Sequence, residues 1–139
     1  MSDSKMPIIT QVAAAVVIGL TVLISGWLLL PYNVIEGGSL VTDRYYVKAG
    51  ETINYHTDYC KHYDMPGKLS IQLIDTFAYN YNTLDSNAPI GCKGFDRGIY
   101  IPKGVPPGNY FLRVTIRYQV NPLREVIYTN ETNVFEVYE

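Results

Sequence analysis

The chain has 139 residues, with 11 Lys and Arg against 13 Asp and Glu, for a formal net charge of −2. That near-neutral balance argues against nucleic acid as a partner, which calls for an excess of cation, and 13 Tyr and 4 Phe are too much apolar surface for a disordered coil. Charged residues make up 17% of the chain, below the roughly 25% of an ordinary soluble domain, and the deficit is local.

No Asp, Glu, Lys, Arg or His occurs from Met6 to Ile35, and the run Ile8–Leu30 is broken only by Thr10, Gln11, Thr21 and Ser25. A bilayer core of about 30 Å requires roughly 20 helical residues. Residues 8–31 are therefore predicted to form a transmembrane helix, ended by Pro31, with Trp27 and Tyr32 suited to the membrane interface. The Thr and Ser hydroxyls can bond to a carbonyl one turn earlier and so cost little in lipid. A cleavable signal peptide would have a shorter apolar region and a small-x-small cleavage site, but the sequence after the run offers no Ala-x-Ala. A buried helix of a soluble core would show a polar stripe. A retained anchor in the lipid bilayer is the reading that remains.

Lys5 lies before the span and the first cation after it is Arg44. The positive-inside rule then predicts a short cytoplasmic N-terminus, residues 1–7, and a C-terminal domain in the periplasm or outside the cell. Ala15, Gly19, Val22 and Gly26 share one helical face, which would let two helices approach closely.

Residues 32–38 read as a linker ending in Gly37-Gly38. From Ser39 to Glu139 short alternating runs are separated by Gly, Pro, Asn and Asp, the pattern of an all-β ectodomain over 39–139. Predicted strands are Leu40–Val47, Thr52–Tyr59, Lys68–Thr76, Gly98–Ile101, Asn109–Val120 and Arg124–Val137, with a long loop Phe77–Arg97. Alternation places Ile53, Tyr55, Thr57 and Tyr59 on one inner face, Leu69, Ile71 and Leu73 on another, and Tyr110, Leu112, Val114, Ile116, Tyr118 and Val120 on a third. A bulge near Asn130 would bring Phe135 and Val137 back into register. Six or seven such strands predict two antiparallel sheets packed face to face.

The segment from Ile101 to Tyr110 contains Pro102, Pro106, Pro107 and Gly108, and a Tyr opens the long strand after it. It resembles the tyrosine-corner region of immunoglobulin-like sandwiches. The resemblance implies an immunoglobulin-like β-sandwich with Tyr110 as the corner residue, its hydroxyl bonded back to the backbone, and nothing about function. More broadly, Tyr59-Cys60-Lys61, Ser86 to Cys92, Pro106 to Tyr110 and Val120 to Arg124, behind one N-terminal span, resemble small uncharacterised bacteriophage-encoded membrane proteins. That resemblance implies an envelope or virion component.

Cys60 and Cys92 both fall in the exported part, where an oxidising compartment would pair them in a disulfide. His56, Asp58, Cys60, His62 and Asp64 alternate along one stretch and include good zinc ligands. Their spacing matches no established framework, so a solvated polar face is the preferred reading and no metal or cofactor is expected. There is no Gly-x-Ser-x-Gly elbow, phosphate-cradling loop or zinc-protease signature. His56 and Asp58 could act as base and orienter, but no nucleophile can be matched to them, so no catalytic residue is expected. Tyr63, Tyr79 and Tyr81 lie in turns or the long loop among Asn and Ser, the chemistry of an adaptable contact surface.

The expectation is a single-pass membrane protein whose β domain makes non-catalytic protein–protein contacts, with an envelope or virion protein or with copies of itself. The alternatives are a structural subunit assembling through its helix, as pilin-like proteins do, and a small-ligand or metal-binding module.

Overall fold

The computed structural model describes residues 7–29 and 33–139. Lys5, Pro31 and Tyr32, which carried the expected orientation, helix stop and interface contact, lie outside the described residues. The chain divides into two compact units, Met1–Tyr32 and Asn33–Glu139.

In the first unit, α1 spans Ile8–Leu29. Its 22 residues rise about 33 Å, enough to cross a hydrocarbon core. No residue of α1 is buried, and Ile8, Val16, Leu20 and Leu23 all expose apolar surface. Thr21 Oγ1 donates to the Val17 carbonyl at 2.8 Å, so this polar group is satisfied within the helix. Length and composition make α1 a helix able to span a membrane.

The second unit is built of strands: β1 (Ile35–Thr42), β2 (Tyr46–Lys48), β3 (Thr52–Lys61), β4 (Gly67–Ile74), β5 (Ala78–Asn80), β6 (Leu84–Ser86), β7 (Gly91–Tyr100), β8 (Gly108–Asn121), β9 (Arg124–Glu131) and β10 (Phe135–Tyr138). One sheet has the order β1-β3-β7, and the other β2-β10-β8-β4-β5. β6 follows β5 along β4, and β9 precedes β10 along β8. All pairings are antiparallel except β2 with β10.

Alternation explains the core. Ile53 and Tyr55 of β3, Leu69, Ile71 and Leu73 of β4, and Tyr110, Leu112 and Val114 of β8 are buried in one cluster that draws on both sheets. Each such side chain contributes roughly 1.5–3 kcal/mol. A second cluster of Val34, Ile35 and Tyr118 is flanked by Tyr59, Val126 and Tyr128. Here a Cβ on Gly37 would collide with the Tyr128 ring and hydroxyl, so only glycine lets β1 pass beneath that ring.

Several strand expectations need correction. β1 begins at Ile35, inside the expected linker 32–38, because Val34 and Ile35 are buried. The expected strand Leu40–Val47 is two strands in different sheets. The chain turns between them, where Thr42 Oγ1 donates to the Arg44 carbonyl at 2.9 Å. The expected loop Phe77–Arg97 contains β5 and β6, and β7 starts at Gly91 rather than Gly98. The last strand breaks after Glu131 instead of bulging near Asn130. Thr132 Oγ1 accepts from the Leu112 amide at 2.9 Å, and this side-chain bond stands where a ladder bond would continue.

Candidate functional site

Cys60 and Cys92 form a disulfide. They face each other in the β3–β7 register, so the bond links neighbouring strands of one sheet rather than the two sheets. At the corner, the Tyr110 hydroxyl donates to the Pro106 carbonyl at 2.9 Å. Burial, aided by Asp75 and Tyr79, pushes its pKa up to about 12. In α1, the Cβ positions of Gly19 and Gly26 meet nothing within 4 Å, and Ala15 and Val22 are exposed beside them.

The expected tyrosine surface separates into different roles, a correction to its reading as one contact patch. Tyr63 is exposed. Tyr79 and Tyr81 pack against the core, Tyr79 with its ring 6.4 Å from that of Tyr110. The Tyr81 hydroxyl donates to the Tyr100 carbonyl at 2.9 Å, tying the segment after β5 to the end of β7. Burial pushes the Tyr81 pKa up to about 12.

The alternating polar run is also divided. His56 Nδ1 lies 2.8 Å from Asp96 Oδ1, and its Nε2 lies 3.2 Å from Asp58 Oδ1. The hydrogen bond to Asp96 leads in raising the His56 pKa, with Asp58 adding to it. Both ring nitrogens are therefore engaged by carboxylates. Cys60 is held in the disulfide, and His62 Nε2 instead faces Glu36 at 3.5 Å. Among the described residues no cluster of three or more His, Cys, Asp or Glu is placed to hold a metal ion.

Sequence reasoning missed Lys61. The residue is 1% exposed, and Nζ donates to the carbonyls of Met65 and Ala88, each at 2.8 Å. The ammonium also sits 5.4 Å from the centre of the Tyr118 ring, so carbonyl dipoles and a π face replace water around the charge. A lysine closing a strand gives no local sign of this burial.

Two surfaces stand out. Tyr45, Tyr46, Val134 and Tyr138 leave large apolar groups exposed around the edge strand β2, with Tyr46 at 64%. Tyr46 lies beside Glu136 and Lys48 beside Tyr138 in the β2–β10 register. Separately, a cavity of about 300 Å³ opens between the two sheets, walled by Tyr55, Tyr59, Leu69, Phe95, Val114 and Ile116 and bordered by the segment Asp85 to Pro89.

No protein-family model and no curated protein sequence matches the chain. Among solved structures, a Niemann-Pick type C2 protein from Japanese carpenter ant is similar, with a TM-score of 0.51 at 6% identity over 76% of this chain and 94% of that one. This is a likeness of fold. An alkylpurine DNA glycosylase, AlkC of Pseudomonas fluorescens, aligns with a TM-score of 0.47 at 14% identity over 86% of this chain, which spans about a third (33%) of the glycosylase.

Proposed function

We propose that this chain is a membrane-anchored, non-catalytic protein whose β unit is an immunoglobulin-like sandwich making protein–protein contacts in a cell envelope or virion. The Tyr110–Pro106 corner bond and the pairing of β1 and β2 with different sheets support the sandwich. α1 supplies the anchor, with the β unit on the far side of the membrane from the N-terminus. One observation carries the contact role: the exposed aromatic group of Tyr45, Tyr46 and Tyr138 at β2. Exposed Tyr presents a large area at small entropic cost and is enriched where proteins meet.

A photo-crosslinking residue in place of Tyr46, in the full chain in its native membrane, tests this reading. A discrete protein adduct at Tyr46, absent when the same residue replaces Lys68 on β4, is expected. No adduct, or the same adducts from both positions, overturns it.

The open Gly19 and Gly26 positions favour a second reading, self-assembly through the helix. Changing both to Ile should then abolish a dimer in a membrane association assay, whereas an unchanged dimer rejects it.

A further inference from the structure

The cavity between the sheets has a chemistry that the contact role does not use. Its walls are aromatic and aliphatic, and Arg97 is the one cation among the residues lining it. Arg97 stands directly opposite Tyr55 in the β3–β7 register. Directly opposed residues of an antiparallel pair share a face, and Tyr55 is 2% exposed, so Arg97 turns inward with it. The guanidinium draws the Tyr55 pKa down against the larger upward push of burial, as its closeness requires. Arg97 is half-buried, and among the described residues no carboxylate forms an ion pair with it. The acid at the cavity border, Asp85, pairs with Lys68 in the β4–β6 ladder. It therefore belongs to the outer face that the exposed Lys68 occupies.

We propose that this cavity binds a single-chain amphiphile with a monoanionic head, such as a fatty carboxylate, its chain between the sheets and its head at Arg97. A partly desolvated cation without a counter-ion favours an anion, and a guanidinium matches a carboxylate in two parallel hydrogen bonds. A volume of about 300 Å³ lies at the lower end of the usual range for ligand pockets, which suits one chain rather than two. The segment over the cavity is fastened by Lys61, whose bond to Ala88 holds that border in place. The ligand can come from water or from the bilayer, and its recognition by the cavity is the same.

The test uses the full chain in nanodiscs of zwitterionic phosphatidylcholine with a diazirine-bearing fatty acid, added to the water in one arm and preloaded in the disc in the other. After illumination, peptides are mapped by mass spectrometry. Label on the peptides carrying Leu69 and Val114 to Ile116, beyond the background on α1, is expected from at least one arm, and the faster arm identifies the source. Decanoate should compete with the cavity label at least about ten-fold better than decanol, because only the acid carries the charge Arg97 reads. Arg97→Gln should lower the cavity label by about ten-fold, with the α1 label unchanged. Ile116→Trp, which fills the cavity, should remove it.

Label confined to α1 in both arms overturns the proposal. Equal competition by decanol and decanoate, or a cavity label indifferent to Arg97→Gln, does the same and makes Arg97 only a charge guarding the edge of β7. The competition experiment needs no variant, so it decides the matter even if a substituted chain fails to fold.

Discussion

The Lys61 ammonium donates to the Ala88 carbonyl at 2.8 Å, joining the end of β3 to the segment that borders the inter-sheet cavity. A second bond of 2.8 Å to the Met65 carbonyl makes one buried charge the fastening of two loops. Lys61→Met keeps most of the packing but leaves both carbonyls without this donor. The expected loss is about 2–3 kcal/mol, read as a lower unfolding midpoint, with faster amide exchange in residues 85–90.

The Cys60–Cys92 bond closes a sequence separation of 32. A loop of that size is worth roughly 3–4 kcal/mol in the chain-entropy account. Guanidinium unfolding with and without reductant should differ by that amount. Intact protein should gain the mass of two hydrogens on reduction. Two freely alkylated thiols in unreduced protein would contradict the bond.

Two buried tyrosines should respond oppositely to loss of their hydroxyls. Tyr110→Phe removes the bond to the Pro106 carbonyl and should cost about 1–2 kcal/mol. The Tyr118 hydroxyl is buried without a hydrogen-bond partner among the described residues. Tyr118→Phe should therefore be neutral or stabilising by up to about 1 kcal/mol. Thermal unfolding of the two variants side by side checks the contrast.

The His56 pKa is raised, first by its hydrogen bond to Asp96. Proton NMR should show the imidazole titrating above its ordinary value of about 6.5, and Asp96→Asn should bring it down. A raised folded-state pKa contributes stability that is fully present below about pH 6.5 and is lost as pH rises through the folded value. Asp96→Asn should therefore weaken the pH dependence of unfolding in that window. An unchanged titration in the variant would remove Asp96 as the cause.

The strands most legible from sequence are those with one wet face and one dry face. Thr52–Tyr59 and Asn109–Val120 were readable because Ile53, Tyr55, Tyr110 and Leu112 alternate with polar residues, and the same side chains fill the core. β7 was hidden by the opposite condition. From Cys92 to Asp96 its residues are exposed, and Gly94 and Gly98 interrupt any pattern. β5 and β6, at three residues each, are too short for periodicity to register.

The candidate sites divide in the same way. The pairing of Cys60 with Cys92 was legible because a chain with two cysteines leaves each one partner. The inward turn of Arg97 was not, because it depends on which residue of β3 stands opposite. The packing of Tyr79 and Tyr81 against the core likewise depends on β5 lying along β4. The long loop showed only that these residues sit among Asn and Thr.

By itself the sequence determined the apolar helix, the β character of the rest, the alternating core residues and the disulfide partners. These depend on local composition, on a period of two or 3.6 residues, or on a choice with one solution. Only the tertiary structure decided that Leu40 and Val47 belong to different sheets, that Lys61 is buried, and that an arginine shares an apolar cavity with Tyr55. Each of those follows from contacts between residues distant in the chain. The burial of a charge is settled by the carbonyls and rings that happen to surround it, and no local pattern encodes where those will come from.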